Sequence, residues 1–302
     1  MDNQDKNNPL VTVALMTYNR AGYLPGAIES MLAQTYRNFE LIISNDASTD
    51  GTDEICKEYA KKDKRIRYIK QEKNLGLVPC HKFILNQGRG KYFIWVDDDD
   101  IRDKRFLEDC VDAYRKHPEL IMVFTDFVDI DKNGKEIGRY DPAKYMPLAK
   151  DTYERLKEYT LFYLENGRNH IFGGLWKREA ILDDPLFGLQ ARDDRSPGVA
   201  YYWGFDNFFV FRNLAKGPFG FVPHIRFFRR SRVPEDTRPP RPFIPRLFMT
   251  AYHRFDKIFG TPYFWYVIRF TMNTPQLTFS QKLKLVLWTF FVMARIFFVR
   301  KI

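Results

Sequence analysis

Asp97-Asp98-Asp99-Asp100 places four carboxylates in a row. Consecutive carboxylates repel one another, and a divalent cation removes that conflict while favouring hard oxygen ligands. Magnesium or manganese held by one or two of these acids plus substrate phosphates fits the set. The alternative is a solvated turn whose acids help to cap the next helix. The run directly follows Phe93-Ile94-Trp95-Val96, which has the composition of a buried strand. Two more polar sets follow apolar runs in the same way. Thr17-Tyr18-Asn19-Arg20 succeeds residues 11–16, and Ser44-Asn45-Asp46 succeeds residues 39–43. Thr17, Asn19, Asp46 and the aspartates are therefore candidates for a single polar cleft.

A cleft of that kind needs strands and helices in alternation. Apolar runs at 11–16, 39–43, 66–69, 92–96 and 120–124 predict strands. Between the first two, Leu24, Ala27, Ile28, Met31 and Leu32 form a helical stripe. Ser48-Thr49-Asp50-Gly51-Thr52 supplies N-cap chemistry for a helix over 53–61, and further helices are predicted at 78–86 and 106–115. This alternation implies an α/β fold with a mostly parallel sheet flanked by helices and joined by right-handed crossovers. Ligands of such sheets bind outside the carboxyl ends of the strands, where the polar sets lie.

Taken in order, these segments resemble a known family. They are residues 11–20 with the amphipathic helix and Gln34-Thr35-Tyr36, the stretch from Asp46 to Thr52, Asn74-x-Gly76, and the stretch from Gly90 to Asp100. Together they resemble the inverting family-2 glycosyltransferases of the GT-A, nucleotide-diphospho-sugar transferase fold, over about residues 10–217. The resemblance implies a Rossmann-like GT-A domain over 1–233, with a nucleotide-sugar half at about 10–125 and an acceptor half at about 126–233. It also implies that Thr17, Asn19, Asp46, Asn74 and Gly76 hold the nucleotide-sugar. A carboxylate such as Asp46 can accept the N3–H of uracil or thymine, which favours UDP- or dTDP-sugars. The D-x-D element maps to Asp97-Asp98-Asp99, with Asp97 and Asp98 toward nucleoside and sugar and Asp99 on Mn2+ or Mg2+ at the diphosphate. Asp100 matches the fourth acid of many members. Asn19 and Asp46 as plain turn and cap residues are the alternative.

Inverting transfer is one in-line displacement, which needs a general base on the acceptor hydroxyl and a cation on the departing diphosphate. The segment from Tyr201 to Arg212 resembles the family's base segment and makes Asp206 the candidate base; an apolar setting would raise its pKa usefully. An N-cap role for Asp206 is compatible with that. Phe205 stands where many members have a second acid, and Asp193 and Asp194 are weaker candidates nearby. His170, in His170-Ile171-Phe172-Gly173-Gly174, is a candidate for donor diphosphate or acceptor contact. His224 is the available further metal ligand, and Arg226, Arg229 and Arg230 could neutralise a diphosphate or bind an acceptor phosphate.

The chain has 302 residues and a formal net charge of +10, placed unevenly. Residues 212–302 carry 17 Lys/Arg against three acids, and 20 of the 50 aromatics. A Pro-rich linker is expected at 234–246 and a basic amphipathic helical tail at 247–302, where Phe248, Tyr252, Phe255 and Phe259 have helical spacing. Residues 281–302 suit an interfacial helix on anionic lipid, with a partner-helix role as the alternative. Nucleic acid is not an expected partner, because the tail shows no reader module. Polar residues 1–8 suggest no signal peptide, and Cys56, Cys80 and Cys110 form no metal or disulfide framework, so a reducing compartment is expected.

The function expected is metal-dependent, inverting transfer of a sugar from a nucleotide-diphospho-sugar, UDP first, to a hydroxyl of a glycan or lipid-linked acceptor in cell-surface glycan or glycoprotein synthesis. The place expected is the cytoplasm, peripherally on the inner face of the membrane. A non-catalytic sugar-nucleotide-binding scaffold and a nucleotidyltransferase are the alternatives. The second ordinarily carries a Gly-rich basic loop after strand one, which residues 17–22 do not resemble, and no G-x-G-x-x-G supports a dehydrogenase.

Overall fold

The computed structural model describes residues 8–140, 148–161, 168–188, 205–230 and 262–299. Its first half is the expected alternation: β1 (Val11–Thr17), α1 (Leu24–Leu32), β2 (Phe39–Asn45), α2 (Thr52–Lys62), β3 (Ile66–Lys70), α3 (Leu77–Gln87) and β4 (Tyr92–Asp97). Then come β5 (Ile101–Arg102), α4 (Phe106–Lys116), β6 (Met122–Ile130), β7 (Glu136–Arg139), α5 (Thr152–Leu161), β8 (Leu175–Lys177), α6 (Phe205–Leu214), β9 (Phe219–Arg230), α7 (Pro262–Asn273) and α8 (Phe279–Val299).

The sheet order is β3-β2-β1-β4-β8-β6-β9-β5, with β7 on β6. β3, β2, β1 and β4 are mutually parallel. Beyond them the sheet is mixed: β8 runs antiparallel to both β4 and β6, β6 is parallel to β9, and β9 is antiparallel to β5. β1, β2 and β4 are covered on both faces and buried almost throughout, while β3 at the sheet edge is partly exposed. Val11, Val13, Leu15, Ile94 and Val96 face one core with α1 and α4. Ala14, Phe93 and Trp95 face the other, with Val78, Ile84 and Leu85 of α3.

That second core positions the chemistry. The Trp95 ring stacks on Phe172 at 4.8 Å and meets Phe209 edge-on at 5.6 Å, and Phe209 meets Trp176 at 5.2 Å. Such pairs add about 0.5–1.5 kcal/mol each beyond area burial. The aromatic residues of α6 thus dock this helix against β4, where the aspartates emerge.

Three parts of the architecture differ from the pattern in the sequence. β6 continues through Asp126 and Asp129 to Ile130, although those acids interrupt its apolar run, because β9 pairs along its whole length. β9 itself, rich in arginine, is a strand rather than a solvated basic run. The two C-terminal helices and the turn between them also rest on the acceptor-side core, through Val267, Leu285 and Leu277. Residues 234–246 and 248–259 lie outside the described residues. No helix among the described residues is long and apolar enough to cross a membrane.

Candidate active site

The carboxyl ends of β1, β2 and β4 open onto one cleft lined by Thr17, Asp46, Asn74, Gly76, Asp97 and Asp98. Asp46 organises its far wall: Oδ1 accepts the Leu75 N–H at 2.7 Å and Oδ2 the Gly76 N–H at 3.1 Å. Asn74 Nδ2 donates to the Asp46 carbonyl at 3.2 Å. Gly76 has φ of 81°, a left-handed backbone that suits glycine and lets the chain turn into α3. Asp46 is thus a loop clamp and a cleft wall together, and each carboxylate oxygen retains a lone pair for a ligand. Thr17 is buried on this wall, and its side chain bears on the Asp98 carboxyl.

Asn19 is not on this wall. At φ of 53°, its Oδ1 accepts the Thr49 N–H at 2.8 Å and its N–H donates to Ser48 Oγ at 3.0 Å. It braces the turns after β1 and β2 against each other, which is the turn alternative. Tyr18 and Arg20, its neighbours, line the cleft instead. The spacing after β1 marks the turn, and only the positive φ at Asn19 decides which side chains turn inward.

The four aspartates separate sharply. Asp97 is exposed at the mouth, while Asp98, Asp99 and Asp100 are buried. Asp98 is pushed up to about 7, first by burial and then by the charges of Asp99 and Asp97, against the pull of Thr17 and Arg20. Arg20 Nε stands 3.7 Å from Asp98 Oδ1. Asp99 lines neither this cleft nor the next. Asp100 is held well above the carboxylate range by burial and by Asp97, and its Oδ1 accepts the Arg230 N–H at 2.8 Å. Arg230 also donates from Nε to the Asp99 carbonyl at 3.1 Å, so β9 clasps the aspartate turn from outside.

A second cleft adjoins the first, lined by His81, Arg102, His170 and Asp206 with Trp95 and Phe172, and Asp97 and Leu77 line both. Asp206 lies in the first turn of α6. Burial, then the Asp97 charge, pushes its carboxyl up to about 7, although the cleft leaves it partly open to water. A carboxyl titrating near neutrality beside a cleft is suited to take a proton. His81 is a residue that periodicity hides within an apolar helix. Its Nδ1–H donates to the Leu77 carbonyl at 2.7 Å, leaving Nε2 as acceptor, and burial pushes the ring down to about 4.

The other candidates fall elsewhere. Arg226 pairs with Asp103 at 3.2 Å and Asp109 at 2.7 Å, tying β9 to α4. His224 is exposed and lines neither cleft. The β6–β9 register jumps there: Val222 faces Thr125 and Ile225 faces Asp126, so Pro223 and His224 occupy the irregularity between them. Asp193 and Asp194 lie outside the described residues.

Among the described residues no three His, Cys, Asp or Glu side chains form a ready-made metal cage. The donor set at the mouth does suit magnesium or manganese, which take one or two carboxylates and complete their shell from phosphates and water. Asp98 and Asp100 are raised first by burial and further by neighbouring carboxylates, and a cation beside them would relieve the second of these causes.

A model of the family described as "Glycosyl transferase family 2" matches residues 12–175. An uncharacterized glycosyltransferase of Methanocaldococcus jannaschii is 37% identical over 143 residues, 47% of this chain and 49% of that protein. The match thus spans about half the length of that relative. Among solved structures, S. aureus TarS 1-349 in complex with UDP is similar at a TM-score of 0.62 and 15% identity, over 91% of this chain and 69% of that one. GalNAc-T7 with UDP, GalNAc and Mn2+ is similar at 0.57 and 18% identity, over 95% and 56%. At these identities the likeness is one of fold, and the fold is GT-A.

Proposed function

Because the chain belongs to glycosyl transferase family 2, we propose that it moves a sugar from a nucleotide-diphospho-sugar to an acceptor hydroxyl, with inversion at the anomeric carbon. The observation that carries this is the sharing of Asp97 between the two clefts. A nucleotide held by Thr17, Asp46, Asn74 and Gly76 would direct its diphosphate and sugar toward Asp97, and the acceptor would reach the sugar from the Asp206 side. Asp206 takes the proton from the acceptor hydroxyl as that oxygen bonds to the anomeric carbon. The bond from that carbon to the diphosphate oxygen breaks, and the nucleoside diphosphate leaves with the electron pair. His81 Nε2 accepts a hydrogen bond from the acceptor or donor sugar. Asp97 and Asp99 would hold a divalent cation, which when bound offsets charge on the departing diphosphate. The exposed Tyr18 ring, at the rim of the first cleft, gives the base an aromatic face.

UDP is the proposed nucleotide, on the carboxylate of Asp46 and on the UDP present with TarS and GalNAc-T7. Thermal unfolding against UDP, dTDP, GDP, CDP and ADP, with and without manganese, tests this. UDP with manganese should raise the midpoint by a few degrees at about 100 times its Kd, where the stabilisation is about 2.7 kcal/mol. A shift with none of the diphosphates would count against the donor reading.

The membrane surface is the proposed location, and a lipid-linked glycan the proposed acceptor. Phe279, Leu283, Leu287, Phe290 and Phe291 are exposed along one face of α8, while Leu285 and Thr289 are buried on the other. Lys282 and Lys284 flank that apolar face in the most basic part of the chain, a combination suited to an anionic interface. Co-sedimentation with phosphatidylglycerol vesicles should exceed that with phosphatidylcholine by about tenfold or more. The double substitution Leu283→Glu/Leu287→Glu should abolish the difference, and equal sedimentation of variant and parent would sink the idea.

A further inference from the structure

Arg102 is used by nothing in that scheme. It is 3% exposed, lines the Asp206 cleft, and lies with its guanidinium 3.5 Å from the centre of the Phe227 ring. Its Nε and Nη1 have no hydrogen-bond partner among the described residues. The nearest acid oxygen, Asp100 Oδ2, is 4.0 Å from Nη1, too far for a hydrogen bond, and is itself unpartnered. Unpaired donors on a buried cation are costly; Nε shares one edge of the guanidinium with Nη2 and Nη1 shares the other, so an oxyanion on either edge would satisfy one of them. Gly173 keeps the fork clear, since a Cβ there would stand 3.1 Å from Arg102 Nη2.

His170 lines the same cleft and adds a donor by a tautomer argument. Arg229 Nη1 donates to His170 Nε2 at 2.6 Å, so Nε2 is the acceptor and the ring proton lies on Nδ1. Burial and the neighbouring Arg229 charge push the ring down to about 3, so it stays neutral and keeps that assignment. Arg229 spends Nε and Nη2 on Asp129 and does not line the cleft, which makes it the residue that orients His170.

We propose that Arg102 and His170 form an oxyanion subsite in the acceptor cleft, and that the acceptor carries a phosphate or carboxylate close to the hydroxyl that is glycosylated. The proposal rests on the glycosyltransferase reading of the Asp206 cleft and adds the charge of the acceptor to it. Arg102 does not line the nucleotide cleft, which favours the acceptor over the donor diphosphate as the source of the anion.

The test uses the full chain saturated with manganese and the diphosphate that stabilises it most. Inorganic phosphate and methyl β-D-glucuronide are then titrated calorimetrically, with methyl β-D-glucoside as the neutral control. Both anions should bind at least tenfold more tightly than the glucoside. Arg102→Met should weaken both anions tenfold or more and leave the diphosphate within about twofold, with Arg102→Lys intermediate. Because Arg102→Met strands Asp100, the double variant Asp100→Asn/Arg102→Met repeats the measurement with charge balanced. His170→Phe, which keeps ring volume and removes the Nδ1–H, should weaken the anions several-fold. Equal anion affinity in parent and variants, or none in a parent that binds its diphosphate, overturns the subsite and leaves the glycosyltransferase reading standing. Loss of anion and diphosphate in equal proportion would assign Arg102 to the leaving group and also overturn it. Failure of every diphosphate to bind would overturn the glycosyltransferase reading, and this subsite with it.

Discussion

Asp206→Asn will reduce sugar transfer by about 10²–10⁴-fold, the usual contribution of a positioned general base, while binding of the nucleoside diphosphate changes little. The carboxyl lines the acceptor cleft and not the nucleotide cleft, so the two effects separate. In the parent, kcat/KM for the acceptor should rise with pH and level off above about 7, because the base acts only when ionised and its pKa stands near that value. Stability will move in the opposite sense. The folded-state pKa lies above the unfolded value near 3.9, so the fold binds the proton more tightly than the unfolded chain. This contribution favours the fold most at low pH, declines between about pH 4 and 7, and is flat above that. Asparagine removes the penalty, so the variant should be more stable than the parent at pH 8, by about 1–3 kcal/mol for a carboxyl with water on one side. Calorimetry at pH 4 and pH 8 checks the sign. A variant that is less stable at pH 8, or that transfers sugar at the parent's rate, would remove Asp206 from the role of buried base.

The second large effect belongs to Asp97. Asp97→Asn should abolish the manganese-dependent part of diphosphate stabilisation and lower turnover by about 10²-fold or more, since it takes away a carboxylate at the point where both clefts meet. It should also lower the apparent pKa on the acceptor limb, because the Asp97 charge is the second cause of the raised Asp206, after burial. Asp99→Asn offers the contrast: the Asp99 charge is not among the causes of the raised Asp206, so the limb should stay near 7. Parent-like manganese dependence in Asp97→Asn would show that the cation is held elsewhere.

The parallel half of the fold was legible because burial on both faces forces runs such as Phe93-Ile94-Trp95-Val96, and because polar residues collect where those runs end. Thr17, Asp46, Asn74, Gly76, Asp97 and Asp98 were found by that rule alone or with the family motifs, and they do share one cleft. Asp206 and His170 came through resemblance and meet Asp97 across the sheet. What could not be read has physical reasons. Asn19 and Arg20 are neighbours of similar polarity, yet Arg20 lines the cleft and Asn19, at a positive φ, does not. His81 sits within an apolar stripe where a buried ring and a ligand-facing ring have the same periodicity. Arg102 stands among Lys104 and Arg105, and one-dimensional charge cannot distinguish the buried cation from the solvated ones. The β9 arginines looked alike, yet Arg226 and Arg230 fasten loops and Arg229 sets a tautomer.

The seating of α7 on α6 has a practical side. Phe270 lies 5.6 Å from Phe211, and the Arg212 guanidinium lies 5.1 Å from the same ring. The helix that carries Asp206 in its first turn is therefore a shared wall, with its aromatic face toward β4 on one side and the C-terminal helices on the other. A worker who trims the chain near residue 233 to gain solubility would strip that wall bare, and a dead truncated enzyme would say nothing about lipid. Point substitutions on the outward face of α8 are the cleaner instrument, because they alter what the helix shows to its surroundings while the base keeps its support.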